Sequence, residues 1–368
     1  MKITEIELFP IAIPYRTPWR NRHTEERGAA MTHLETTILK VRTDEGIDGL
    51  GEAKGPGVAA AVRDGVGPFL RGRDPFEIGR LNRELEDTFG RSSLVAGIDF
   101  ALHDIVGRAL GVPVYQLLGG MARERVPLVW TLPFISIEEQ TALAVDRVAE
   151  GFTHAIKMKV GVPGDLEHVL AVAGVVGDVP IRPDSNMGHS MGEALEQYAV
   201  MQAEGVRFEL IEDPCPTDWD AYQQISEATG AGVSVHHGWS TFEDLSDLIS
   251  AAKPGIRCVN IMPTYWGIYR TAQIVGALEV AGIGWTMGTS HDSSIKIAAS
   301  LHLGTALGNR LYPADLLGPR LHTADVAAEP LDLNGGYGRA PDGPGLGVRL
   351  DERVLAEYRA EEAGGARE

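Results

Sequence analysis

The stretch FTHAIKMKVG, residues 152–161, decides how this chain folds: it is a strand whose two lysines, 157 and 159, share one face. Ile156, Met158 and Val160 alternate onto the other face. Four more strand-like segments follow: VPIRPDSN (179–186), VRFELIEDP (206–214), GVSVHHG (232–238) and RCVNIMP (257–263). Lys159, Asp184, Glu212, His236 and Met262 thus mark strand ends at intervals of 24 to 28 residues. That beat suits a strand, a helix and two short loops, repeated, as in a (β/α) barrel. In a barrel the C-terminal strand ends converge on one mouth. A lysine, two carboxylates and an imidazole far apart in sequence would then share one pocket.

Helical runs separate these strands. DLEHVLAVAGVVG, MGEALEQYAVMQAEG and DAYQQISEATG fit the pattern, Ser240 with Glu243 reads as a capping box, and a helix is expected from about Tyr269 before GIGWTMGTS. Residues 1–125 read instead as an α+β unit. Alternating runs Ile3–Ile13 and Thr36–Thr43 flank the arginine-rich stretch RTPWRNRHTEERGAA, Thr43–Gly46 marks a turn, and Leu94–Leu110 is a helix closed by Gly111 and Pro113. The predicted architecture is α/β: an N-terminal α+β capping domain (1–125), a modified (β/α)7β TIM-type barrel (126–330), and a tail (331–368) returning to the capping domain. That tail is expected to end in a helix over Glu352–Glu362.

With 368 residues, 44% of them hydrophobic, the chain has ample core for this plan. A formal charge of −18 argues against a nucleic-acid partner, which requires basic surface. No apolar run is long enough to span a bilayer, and the start, MKITEIELFPIAIPY, alternates like a strand rather than a signal peptide. A cytoplasmic protein is expected, without a disulfide framework, since Cys215 and Cys258 are the only cysteines.

Two carboxylates at neighbouring strand ends repel unless a cation sits between them, so Asp184 and Glu212 point to a divalent metal. Asn186 would face the same mouth and hydrogen-bond a ligand. With the apolar face of 156–160 turned to the outer helices, Lys157 and Lys159 turn inward. Crowded ammonium groups near a metal are expected to depress each other's pKa and yield an amine able to accept a proton near pH 7. A metal facing such a lysine suits removal of the proton beside a carboxylate.

Together these motifs resemble the enolase superfamily, most closely its muconate lactonizing enzyme subgroup. GIDFALHDIVGRALGVPVYQLLGG (97–120) resembles that family's junction between capping domain and barrel, and LDLNGGYGRAPDGPGLGV (331–348) its C-terminal return. Lys157-Met158-Lys159 resembles its Lys-x-Lys, which implies Lys159 as base and Lys157 as electrostatic assistant. Asp184-Ser185-Asn186 and Glu212-Asp213-Pro214 resemble its metal motifs. The resemblance further implies Mg²⁺, a small carboxylate substrate and a homo-oligomer.

The chain departs from the pattern in three places. The third metal ligand of the subgroup is an aspartate, where this chain has His236 and His237; His236 is favoured, with better relative binding of Mn²⁺ or another transition metal. Met262 replaces the sixth-strand lysine, and Gly288 stands where a mandelate racemase-like histidine would be. Tyr265, His237 or His291 are substitutes for a second acid, but one-base chemistry is favoured over racemisation. Asp292 falls where the subgroup tends to have a glutamate and would orient an acid or a substrate hydroxyl, or simply start a helix. The stretch Arg16–Arg27 corresponds to a substrate-covering loop, so Trp19, Arg20, Arg16, Arg22, His23 and Arg27 are candidates for a second anionic group. The expected reaction is α-proton abstraction ending in β-elimination or cycloisomerisation. A racemase or epimerase is the alternative, and a non-catalytic anion-binding barrel is a third reading.

Overall fold

Three antiparallel strands open the chain: β1 (Ile3–Trp19), β2 (Met31–Thr43) and β3 (Gly49–Ala53), adjacent in that order. The computed structural model describes residues 1–22, 24, 28–251, 255–308 and 310–360. β1 and β2 run beyond the lengths their alternation predicts, because the ribbon resumes after an irregularity at Pro14 and pairs Trp19 with Met31. The turn at Thr43–Gly46 is present, with Gly46 at φ 74° donating to the Thr43 carbonyl.

Helices α1 (Ile78–Phe89) and α2 (Ser93–Leu110) cover the sheet, and Leu39, Val41, Leu81, Leu85, Ile98 and Leu102 form a separate core there. α2 starts where Ser92 accepts from the Val95 amide and stops at left-handed Gly111. Every residue from Ser93 to Gly107 is buried. Glycines let this helix touch β3 backbone to backbone: a Cβ on Gly51 would lie 2.0 Å from the Gly97 carbonyl oxygen, and one on Gly49 2.2 Å from that of Ala101.

Seven parallel strands follow in sequential order: β4 (Trp130–Leu132), β5 (Ile156–Lys159), β6 (Ile181–Asp184), β7 (Ile211–Glu212), β8 (Val233–Val235), β9 (Ile256–Ile261) and β10 (Gly284–Met287). The helices after them are α3 (Ile137–Ala149), α4 (Asp165–Val176), α5 (Met191–Ala203), α6 (Trp219–Thr229), α7 (Phe242–Ala251), α8 (Pro263–Ala281) and α9 (Ser294–Ala306). An eighth extended segment closes the barrel. Leu311 bridges Trp285 on one side and Ala314 bridges Leu128 on the other, with Tyr312 N–H to Trp285 O at 2.8 Å and Ala314 N–H to Pro127 O at 2.8 Å. Ile156, Met158, Ile181, Ile211 and Val233 are fully buried in one core with Val169, Val172, Tyr198 and Tyr222 of the helices. Each such aliphatic side chain contributes about 1.5–3 kcal/mol by leaving water.

Three local expectations are corrected. The helix-opening box after β8 is Thr241 with Asp244, not Ser240 with Glu243: Thr241 Oγ1 accepts from Asp244 N, and Asp244 accepts from the Ser240 and Thr241 amides. The shorter Asp carboxylate at this spacing reaches both amides. The helix expected from Tyr269 begins at Pro263, with a break at Gly267 (φ 66°) that hides its first turn from a periodicity argument. The last helix ends at Glu357, and Glu361 and Glu362 lie outside the described residues. In the tail, Tyr358 O accepts from Ala12 N and Ala360 N donates to Pro10 O, each at 2.9 Å. No described helix is long and apolar enough to cross a membrane.

Candidate active site

Parallel register sets the chemistry level. Lys159 pairs with Asp184 between β5 and β6, and Asp184 with Glu212 between β6 and β7. Alternation then sends Lys157 and Lys159 to the inner face together. Lys159 Nζ lies 2.6 Å from Asp184 Oδ2 and 3.2 Å from Asn186 Oδ1. Lys157 Nζ lies 3.0 Å from both Asp184 Oδ2 and Glu212 Oε2. Asn260, from β9, donates to Glu212 Oε1 at 2.7 Å. The predicted quartet of Lys157, Lys159, Asp184 and Glu212 is therefore one cluster, with Asn186 on its rim.

Burial disfavours charge on Lys157, but the Asp184 and Glu212 carboxylates outweigh it and raise its pKa. Without a metal, Lys157 is thus held protonated, because its ammonium faces two carboxylates. Burial likewise opposes the Asp184 charge, yet Lys157 and Lys159 hold that carboxyl well below the usual carboxylate range.

His236 approaches the same centre, its Nδ1 3.9 Å from Glu212 Oε1. His237 turns to Asp213, whose carboxylate also accepts from the backbone amides of His236 and His237. Asp213, His236 and His237 place ligand atoms within 4.8 Å of one another. Asp213 therefore works as the carboxylate that sets this His-His pair, a task its place in the Glu-Asp-Pro motif does not reveal. By donor type, Asp184, Glu212 and His236 suit a divalent cation, although the ligand atoms grouped within 4.8 Å among the described residues are those of Asp213, His236 and His237. Glu212 Oε2 is buried with the Lys157 ammonium 3.0 Å away, and a carboxylate oxygen has two lone pairs, so capacity for a second partner remains. Two carboxylates with an imidazole make a borderline oxygen–nitrogen site.

The backbone is strained around this mouth. All four described non-glycine residues with positive φ lie at strand ends: Asn186 (45°), Met187 (62°), Asp213 (41°) and His291 (57°).

The other predicted residues divide. His291 Nδ1 pairs with Tyr15 OH at 3.0 Å, and its ring lies 4.2 Å from that of Trp19. Burial, helped by nearby Lys54, His322 and Lys159, pushes the His291 pKa well down and keeps it neutral. Asp292 is not beside the carboxylate cluster's lysines. Its partners are Lys54 (3.2 Å), Lys296 (3.4 Å) and Thr264 Oγ1 (2.6 Å). Tyr265 lines a cavity of about 660 Å³ with Met262, His236, His237, Trp239, Trp266 and Arg91. Arg22 Nη1 donates to Asn186 O at 2.7 Å, while the Arg20 carbonyl accepts from Phe134 N at 3.4 Å. His23 and Arg27 lie outside the described residues.

Lys54 and Lys296 escaped the sequence reading. Their signal is scarcity: the chain has seven lysines, and four of them (54, 157, 159 and 296) pair with carboxylates at or beneath the strand ends.

Residues 139–354 match the family described as Enolase C-terminal domain-like, and residues 17–119 match the Mandelate racemase / muconate lactonizing enzyme, N-terminal domain. An N-succinyl-L-Arg/Lys racemase of Bacillus cereus is 29% identical, covering 97% of this chain and 98% of that protein. A chloromuconate cycloisomerase of Pseudomonas putida is 28% identical over 97% and 99%. Among solved structures, a muconate lactonizing enzyme from Pseudomonas fluorescens complexed with muconolactone superposes with a TM-score of 0.88 at 26% identity, covering 98% and 99%.

Proposed function

Because the chain belongs to the enolase superfamily, in its muconate lactonizing enzyme-like subgroup, we propose that it is a divalent-metal-dependent isomerase or lyase that removes the α-proton of a small carboxylate. Asp184, Glu212 and His236 are the residues that would hold the cation. When bound, the cation supplies positive charge to the substrate carboxylate and its enolate. Lys159 takes the α-proton: its side chain is 15% exposed against 4% for Lys157, so it is the lysine that reaches the mouth. Lys157, kept protonated between Asp184 and Glu212, contributes fixed positive charge where negative charge develops. Asn186 holds the Lys159 amine and offers its amide to the substrate.

The observation that carries this reading is the level register of Lys159, Asp184 and Glu212 on adjacent strands. Met262 at the β9 end leaves no lysine there, which favours β-elimination or its reverse, ring closure, since one proton-transfer group suffices. Epimerisation is the second reading, motivated by Lys54, a further ammonium that pairs with Asp292 next to His291.

Incubation with muconolactone, N-succinyl-L-lysine and a series of α-hydroxy acids in D₂O, followed by NMR, tests both. Elimination or ring opening gives a new unsaturated product, whereas epimerisation places deuterium in recovered substrate. Turnover of any of these compounds that survives Lys159→Ala unchanged would sink the proposal.

A further inference from the structure

Outside the mouth, a cavity of about 140 Å³ lies between the end of β1 and the first βα unit of the barrel. Arg16 and Trp19 reach it from β1, Trp130 from β4, Arg147 from α3, and Arg320 from the helical turn Gly318–Leu321. The guanidiniums of Arg147 and Arg320 stand 4.7 and 4.9 Å from the centre of the Trp130 ring. Glu150 is the carboxylate they share, 2.8 Å from Arg147 Nη1 and 2.7 Å from Arg320 Nη2. Among the described residues, no other carboxylate pairs with any of the three arginines.

Three guanidiniums against one carboxylate run counter to a chain of formal charge −18. Glu150 offsets one of these charges, so the cavity keeps net positive charge that an anion would neutralise. Three of the lining residues also carry buried donors without an acceptor among the described residues: the indole N–H groups of Trp19 and Trp130 and the Nε–H of Arg147. Buried donors are rarely left so. Guanidiniums placed over an indole ring and tied to a shared carboxylate lose little further freedom on binding a carboxylate or phosphate.

We propose that this cavity is a binding site for a small oxyanion, a carboxylate or a phosphate, held by Arg16, Arg147 and Arg320 and separate from the metal centre. Arg16 and Trp19 form its β1 wall, and Trp19 also touches His291, so occupation would tie the end of β1 to the residues after β10. The anion is either a free solute or the far carboxylate of a long substrate.

The full chain is titrated with inorganic phosphate, adipate and hexanoate at constant ionic strength, with and without Mn²⁺, following tryptophan fluorescence and the thermal midpoint. The expected result is a saturable response to phosphate or adipate with Kd of roughly 1 mM or tighter, weakened about ten-fold in Arg16→Gln and in Arg320→Gln. Arg16 is exposed, so its replacement leaves folding intact even where Arg320→Gln does not. A phosphate response indifferent to Mn²⁺ identifies a free-anion site. An adipate response that Mn²⁺ strengthens and hexanoate does not share identifies the substrate's second carboxylate. No saturable response in the wild-type chain, or one equal in Arg16→Gln, overturns the proposal.

Discussion

Lys54 Nζ lies 3.2 Å from Asp292 Oδ1, an ion pair that joins the residue following β3 to the loop after β10. Lys296 Nζ shares that oxygen at 3.4 Å, and Thr264 Oγ1 donates to the other. The Asp292 side chain is 1% exposed. Burial resists its charge, but Lys296 and Lys54 outweigh that resistance and hold the carboxyl well below the usual range. The pair is a charged rivet between the N-terminal sheet and the barrel.

Replacing Lys54 with Met strips one cation from a buried carboxylate, at an expected loss of about 3–5 kcal/mol at pH 7. A depressed carboxyl contributes stability that is fully present above its unfolded value, near 3.8, and is lost as pH falls below it. The gap between wild type and Lys54→Met should therefore narrow from pH 4 downward in urea denaturation. A gap of constant size would assign Lys54 to packing instead.

Lys159→Ala should slow turnover by roughly 10²–10⁴-fold, the usual worth of one proton-transfer group, with an unchanged circular dichroism spectrum. Lys157→Met should behave differently. It leaves Asp184 and Glu212 facing each other with one lysine, so the metal-free protein loses stability and added Mn²⁺ restores it. Thermal midpoints with and without Mn²⁺ separate the two lysines.

His236→Ala should weaken Mn²⁺ binding by at least about ten-fold, and Asp213→Asn by roughly 10–100-fold, because Asp213 fixes both histidines without itself being the main ligand. His237→Ala should cost only a few-fold. Isothermal titration of the chelated and dialysed protein measures all three, and a larger loss in His237→Ala than in His236→Ala would exchange their roles.

Much of this was legible in the chain. The recurrence of Lys159, Asp184, Glu212 and His236 carries both the barrel and the cluster, because strand-end residues of a repeating βα unit must converge. What stayed hidden depends on side-chain direction and on pairing between distant segments. Asp213 reads as a neighbour of Glu212, but its left-handed backbone swings it toward the His236 and His237 amides. Lys54 and Asp292 are 238 residues apart, and nothing local in GEAKGPG or SHDSS announces the pair. The charge on Lys157 depends on partners of the same kind: spacing shows two lysines side by side, whereas the carboxylates that hold Lys157 protonated in the metal-free chain come from other strands.

Gly51→Ala should destabilise the fold by about 1–3 kcal/mol or more without touching the mouth. The added Cβ would lie 2.0 Å from the Gly97 carbonyl oxygen, a backbone atom that cannot move without shifting α2. A drop in thermal midpoint with unchanged Mn²⁺ affinity would be the signature.

The seam at residues 311–314 bears on how the chain is made. Until that segment leaves the ribosome, β4 and β10 are both unpaired edges of an open parallel sheet, and Leu128 waits for a partner 186 residues away. Such long-range closure is slow, and bare edges invite strand addition from other chains. Chains cut short before Ala314 are thus the ones expected to aggregate, whereas those extending past it can seal themselves.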